Sequence, residues 1–264
     1  MKEADKPYKN SYLGHDVATE LDRLRTLEKA FDPATFGVLS ELDMPQAARF
    51  LDLGGGAGSV AAWMARRHPT GRITVIDTDT RFLSFPDTLP FDIQCADVNH
   101  HDFPAGTFDL VHARALLSHL PARDRILEKA VHWTKPGGWL VIEDLSVAIV
   151  DKSPSPLLKK ITDAGEELLR TTVGTDLRWA ERIPAALHAL ELADVRTTIT
   201  PGVIGDGSPT HNFWEATVAQ ATPALLQLGL ATLEELEELH ALLATPGTTD
   251  TGIAMIHTRA RKPA

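Results

Sequence analysis

Phe50-Leu51-Asp52-Leu53-Gly54-Gly55-Gly56-Ala57-Gly58-Ser59-Val60 decides the fold of this chain. A short apolar run holding one acid, Asp52, breaks into four glycines, and helix-periodic residues follow at once. The pattern reads as strand, tight loop, helix. Glycines there let backbone approach a ligand that a Cβ would hold off. The spacing is Asp-x-Gly-x-Gly-x-Gly, and the dinucleotide fingerprint Gly-x-Gly-x-x-Gly is not met. The loop therefore points to a nucleoside-bearing cofactor other than a dinucleotide.

Outward from that loop the pattern alternates. Strand-like runs at 49–53, 73–76, 91–96, 108–112 and 139–143 are separated by helix-periodic stretches at 59–67, 80–85 and 123–133. Five such strands predict a parallel sheet covered by helices on both faces, with ligands outside the carboxyl ends of the strands. Ahead of it, residues 1–11 are polar. Val17, Leu21, Leu24, Leu27 and Phe31 predict a helix over 16–30, and Asp32 with Pro33 predicts a new helix start and a second helix over 34–42. Behind the core, helices are expected at 155–172, 179–192, 211–229 and 232–244, the last opened by a Thr232/Glu235 capping box. Strands are expected at 195–200 and 252–260, and a glycine-rich loop at 202–209. The helices of 16–42 and 155–192 are candidates for a cap over the carboxyl-end face.

The bulk numbers bound the function. The chain has 264 residues, 43% hydrophobic and 23% charged, which suits one α/β domain with an added cap. A net charge of −10 argues against a nucleic acid partner, which needs a basic face. The single cysteine, Cys95, excludes an internal disulfide and is expected to be a buried core thiol. No charged-then-apolar leader and no apolar run near 18 residues stand out, so a cytoplasmic protein without a membrane partner is expected. His100 and His101 point opposite ways on extended backbone, and no metal site is expected.

Four segments in order resemble the class I S-adenosylmethionine (SAM) dependent methyltransferases of the bacterial small-molecule type. They are Leu51–Gly58, Val75-Ile76-Asp77, Cys95-Ala96-Asp97-Val98, and Phe108-Asp109-Leu110-Val111 with His119-Leu120-Pro121 and Lys135-Pro136-Gly137-Gly138-Trp139-Leu140 behind it. They cover residues 49–145. The resemblance implies an α/β, Rossmann-like seven-stranded, mostly parallel sheet with helices on both faces and an added helical cap. The expected organisation is an N-terminal helical lid over 1–45, a SAM-binding core over 46–150, a helical cap insertion over 151–192, and C-terminal strands and helices completing the core over 193–264. The implied cofactor is SAM, leaving as S-adenosylhomocysteine.

The same resemblance implies roles for residues. Gly54, Gly56 and Gly58 shape the cofactor loop, and Asp52 orients it or meets the cationic end of the ligand. Asp77, with Thr78 beside it, accepts from both ribose hydroxyls and repels a 2′-phosphate, unless it is a solvent-facing strand-end acid. Asp97 accepts from the adenine amine while the Val98 backbone reads the ring, unless Asp97 only turns the chain before Asn99. Ala113 meets the methionine part. Arg114 meets its carboxylate or faces solvent. His119 lies near the sulfonium or caps the segment before Pro121. Tyr12 closes as a lid, because an aromatic face attracts a cation.

Methyl transfer from SAM is an in-line displacement, and a hydroxyl acceptor also needs a base. His119, Glu143 and His211 are the candidate catalytic residues. Glu143, with Asp144, ends the fifth strand, and His211, with Trp214, follows the glycine-rich loop. The expected reaction is methylation of a small, largely apolar acceptor in natural-product biosynthesis, at oxygen before carbon or nitrogen. The alternatives are a cyclase of the same fold that does not consume SAM, and a non-catalytic SAM-binding protein. The apolar helices of 16–42 or 211–244 serve either a cap or a homodimer interface.

Overall fold

Every residue of β1 (Arg49–Leu53) after Arg49 is buried, as an apolar strand flanked on both sides requires. In the computed structural model, which describes Tyr8, residues 11–86 and residues 91–264, β1 pairs in parallel with β2 (Arg72–Asp77) and with β4 (Phe108–Arg114). β3 (Phe91–Cys95) lies outside β2, and β5 (Thr134–Ser146) outside β4, both parallel to their neighbours. β7 (Asp250–Arg261) and β6 (Ala193–Ile204) complete a seven-stranded sheet of order β3-β2-β1-β4-β5-β7-β6, with β7 antiparallel to both neighbours. The expected Rossmann-like sheet is present. Its strand order reverses between β1 and β4, which opens the crevice in which such sheets hold ligands.

Alternate strand residues face opposite layers. Leu51, Leu53, Val111 and Ile142 meet α3 (Arg123–Trp133) and α5 (Ile183–Ala189) through Ile126, Trp133 and Ile183. Phe50, Val75, Leu110 and Val141 meet α2 (Ser59–Arg67) and the end of α1 (Glu20–Ser40) through Val60, Met64 and Leu39. A third cluster joins Leu27 and Phe31 of α1 to α4 (Pro156–Thr172), α6 (Pro209–Gln227) and α7 (Leu233–Ala244) through Leu158, Phe213 and Leu239.

Four expectations change. The helices over 16–30 and 34–42 are one helix, α1, with Pro33 inside it. Its buried stripe, Glu20, Arg23, Leu27, Phe31, Thr35 and Leu39, runs unbroken past Pro33, and that packing outweighs the lost hydrogen bond. Residues 80–85 are turn and extended chain rather than helix; Leu83 and Phe85 instead press against the back of the glycine loop. Cys95 is exposed, because β3 is a sheet edge. The cap is built from α1, α4, α6 and α7, whereas residues 179–189 lie against the sheet. Part of the expected cap insertion thus belongs to the core, and part of the expected core to the cap.

Candidate active site

A cavity opens at the carboxyl ends of β1, β2 and β4, beneath α1. The glycine loop forms its floor. Gly54 and Gly56 both have positive φ, +71° and +54°, a conformation that side chains disfavour. A Cβ on Gly54 would also crowd the Leu116 side chain at 3.1 Å. Gly58 also has positive φ, but it packs against Phe85 and lies outside the cavity lining.

Three strand ends bring acids to the rim. Asp77 accepts from the Gly56 N–H at 3.2 Å and the Asp79 N–H at 3.0 Å. Burial raises its pKa, and those two N–H donors oppose the shift. Thr78, Asp97 and Val98 line the same end. Asp97 does turn the chain, accepting from Asn99 N at 2.8 Å and Nδ2 at 2.9 Å, and still lines the cavity.

Asp52 begins a hydrogen-bonded chain across the sheet. His112 Nδ1 lies 2.7 Å from Asp52 Oδ1, and its Nε2 lies 3.3 Å from Glu143 Oε2. Glu143 Oε1 meets His257 Nδ1 at 2.6 Å, and His257 Nε2 meets Thr200 Oγ1 at 3.0 Å. A carboxylate only accepts, so a ring held by carboxylates on both nitrogens donates from both and is an imidazolium. Burial opposes that charge, but the bonds to Asp52 and Glu143 outweigh it and raise His112 to about 9. Burial pushes Glu143 up, and its bonds to His112 and His257 pull it well below the usual range.

Glu143 is therefore a buried hub, also accepting from Thr35 Oγ1 at 2.7 Å. It does not line the cavity, and as a catalytic base it is displaced. The reason is that β5 runs on to Ser146, so Glu143 lies inside the sheet rather than at its rim. Asp144 points the other way and accepts from Ser118 N at 2.9 Å and Oγ at 2.6 Å; burial raises it to about 6. His211 lies in the first turn of α6, where Nδ1 accepts from the Gly205 N–H at 3.0 Å and Nε2 lies 3.3 Å from Glu215. It does not reach the cavity, and Trp214 is in the cap core.

Arg114 lines the cavity but is already engaged. Nη1 donates to Asp32 at 2.8 Å and Thr35 at 3.1 Å, and Nη2 to Ser59 at 3.2 Å. Ala113 is buried behind the wall, and Ala115 takes its place in the lining. Tyr12 packs in the cap cluster, its carbonyl accepting from Gln220 Nε2 at 2.7 Å, and lies outside the lining. Tyr8 is the aromatic residue in the cavity. Its neighbour in the sequence pattern is a polar terminal stretch, which carries no signal for it.

His119 does line the cavity. Its Nδ1 lies 2.9 Å from Thr175 Oγ1, and its ring meets Tyr8 at 5.0 Å between centroids. Its other ring nitrogen has no hydrogen-bond partner among the described residues. Burial, with Arg23 and Arg123 nearby, lowers His119 to about 3, so the ring is neutral. Arg23, missed by the sequence reading, lines the cavity and gives Nε and Nη2 to Glu20 at 2.8 and 2.7 Å. Its spacing from Glu20 was the available signal: two opposite charges three residues apart on one helix face. Among the described residues no cluster of His, Cys, Asp or Glu can hold a metal ion, and no helix is long and apolar enough to cross a membrane.

Residues 51–142 match the family described as "Methyltransferase domain". Methyltransferase str2 of Strobilurus tenacellus is 31% identical over 147 residues, covering 52% of this chain and 52% of the relative. Methyltransferase GfsG of Streptomyces halstedii is 27% identical over 191 residues, covering 66% and 65%. The matched stretches span 39%, 52% and 65% of the lengths of the first three curated relatives. The solved structure of phosphoethanolamine N-methyltransferase 2 of Haemonchus contortus, in complex with phosphomonomethylethanolamine and S-adenosylhomocysteine, aligns with a TM-score of 0.63 at 17% identity. It covers 98% of this chain and 61% of that one, a likeness of fold.

Proposed function

The chain carries a class I SAM-dependent methyltransferase domain, and from that premise we propose that the protein methylates a small, largely apolar acceptor through an acidic hydroxyl. One observation carries the reading. A single cavity joins the glycine loop, Asp77 and Asp97 to a neutral, buried His119 among Leu27, Leu116, Leu120 and Leu145. The donor set suits SAM: a carboxylate for a ribose diol at Asp77, an acceptor for the adenine amine at Asp97, and a glycine cradle between them. Arg23 keeps Nη1 uncommitted among the described residues, whereas both Nη atoms of Arg114 are taken. Arg23 is therefore the better partner for the methionine carboxylate.

SAM supplies a methyl group already activated by the positive sulfur. The protein orients the acceptor oxygen for in-line attack, excludes water with the leucine wall, and receives the proton. At the acceptor, the free ring nitrogen of His119 would take the hydroxyl proton. An imidazole this weakly basic serves a hydroxyl that is itself acidic, an enol or a phenol, better than an aliphatic alcohol. The apolar wall favours a natural-product acceptor, and the reading places the reaction in the cytoplasm.

The test is incubation with SAM and a panel of phenols and enols, followed by mass spectrometry. S-adenosylhomocysteine is expected to appear in step with a product heavier by one methyl group. Product without S-adenosylhomocysteine would point to the cyclase reading, and SAM binding without any product to a non-catalytic role. Absence of SAM binding would sink the proposal.

A further inference from the structure

We propose that His15 is a binding residue for the ribose hydroxyls of the nucleoside cofactor, carried into the site by the strap of residues 11–19. This rests on the SAM reading above and adds to it a residue that the glycine loop and the strand-end acids do not provide. Among the described residues, four buried side-chain polar atoms lack a hydrogen-bond partner, on His15, His68, Gln94 and Thr162. Of these four residues, His15 alone lines the cavity. Its side chain is only 9% exposed, and Nδ1 lies 3.8 Å from Asp79 Oδ1, beyond hydrogen-bond distance. Buried polar atoms in folded proteins are almost always paired, so this ring at the wall of the cavity has hydrogen-bonding capacity left for a ligand.

The ring is held at the cavity wall. It packs against Phe82 at a tilt of 35°, with 4.5 Å between centroids. The strap is tied down by Arg81, whose Nη1 donates to Asp16 Oδ1 at 2.7 Å and to the His15 carbonyl at 3.4 Å. The same Arg81 donates to Asp79 through Nε at 3.0 Å. The carbonyl side of His15 and its ring are thus fixed independently, beside Asp77, Thr78 and Asp79.

The chemistry is complementary. The Asp77 carboxylate only accepts, so a ribose hydroxyl gives it its proton and keeps two lone pairs. The His15 imidazole lines the same cavity, and a ring N–H there can donate to one of them. Asp77 and His15 would then satisfy both halves of the same hydroxyl, one from the sheet and one from the strap.

Calorimetric titration separates this role from simple packing. His15→Phe keeps the aromatic contact with Phe82 and removes both ring nitrogens. It is expected to bind S-adenosylhomocysteine about tenfold more weakly than wild type. The loss should disappear when the ligand is the 2′-deoxy or the 3′-deoxy analogue, whichever lacks the contacted hydroxyl. His15→Gln, which restores a donor, should recover part of the affinity. The ligand-free His15→Phe protein should melt at or above the wild-type temperature, because an unpaired buried nitrogen has gone. Unchanged affinity for S-adenosylhomocysteine would overturn the proposal, and so would an equal loss for it and both deoxy analogues. A wild-type protein that binds no S-adenosylhomocysteine would instead overturn the SAM reading itself.

Discussion

At the scale of single residues, the proposed reaction gives the acids the holding of the ligand and His119 the proton. Asp77→Ala is expected to weaken S-adenosylhomocysteine binding roughly 10- to 100-fold, the size of a lost hydrogen bond to a charged group, measured by calorimetry. His119→Ala should leave that affinity nearly unchanged and lower kcat by about 100-fold; an equal fall in both would make His119 a binding residue only. Asp77, Asp97, Gly54 and Gly56 line the cavity as the sequence pattern predicts, because a strand end in a parallel sheet is a fixed address. Glu143 misled because a strand's end is invisible where apolar residues continue: Leu145 and Ser146 extend β5 and draw the acid into the sheet. His211 misled because 11 histidines share the chain and proximity in sequence says nothing of which wall a side chain meets. Tyr8, His15 and Arg23 were missed because their place depends on how the N-terminal segment crosses the site, a tertiary fact without a local pattern.

At the scale of elements, α1 sets the roof of the site and pins it in three places. Glu28 accepts from Ser59 N at 3.0 Å, Asp32 accepts from Ser59 Oγ at 2.9 Å, and Thr35 donates to Glu143. These contacts join the roof to the first turn of the helix after the glycine loop and to the Glu143 hub on β5. Pro33 sits on the exposed side of α1 and costs it a backbone hydrogen bond. Pro33→Ala should therefore raise the melting temperature, by an amount corresponding to at most about 3 kcal/mol, with little effect on ligand affinity. A lower melting temperature would mean that the proline bends α1 into the fit that Arg114 and Asp32 require. Local rules read a helix start at Asp32 and Pro33 because the pair has that form. They could not weigh it against a buried stripe whose partners lie on α6, some 180 residues on. The capping box at Thr232 and Glu235, which needs no distant partner, is formed as read, with Thr232 Oγ1 accepting from Glu235 N at 3.2 Å.

At the scale of the whole molecule, the buried titratable groups set opposing limits on stability with pH. His112, raised from 6.5 to about 9, contributes stability that is complete below pH 6.5 and is lost as pH rises through 9. His119, lowered from 6.5 to about 3, stays neutral in the fold while the unfolded chain takes up a proton. Its contribution is complete above pH 6.5 and falls as pH drops below that. Glu143, lowered from 4.5, adds a further loss as pH falls below 4.5. Asp144, raised from 3.8 to about 6, has the opposite sign: the fold keeps a proton that the unfolded chain releases, so acidification from 6 toward 4 favours the fold and softens the acid limb. The melting temperature of the ligand-free protein should therefore peak between about pH 6 and 7 and fall on both sides. His119→Gln should flatten the limb just below pH 6.5, and His112→Gln should flatten the limb between 6.5 and 9 from a lower plateau, since it leaves two buried carboxylates facing each other. A wild-type melting temperature that stays level from pH 6.5 to 9 would show that His112 is not an imidazolium, and that the chain from Asp52 through Glu143 holds its charge in some other way.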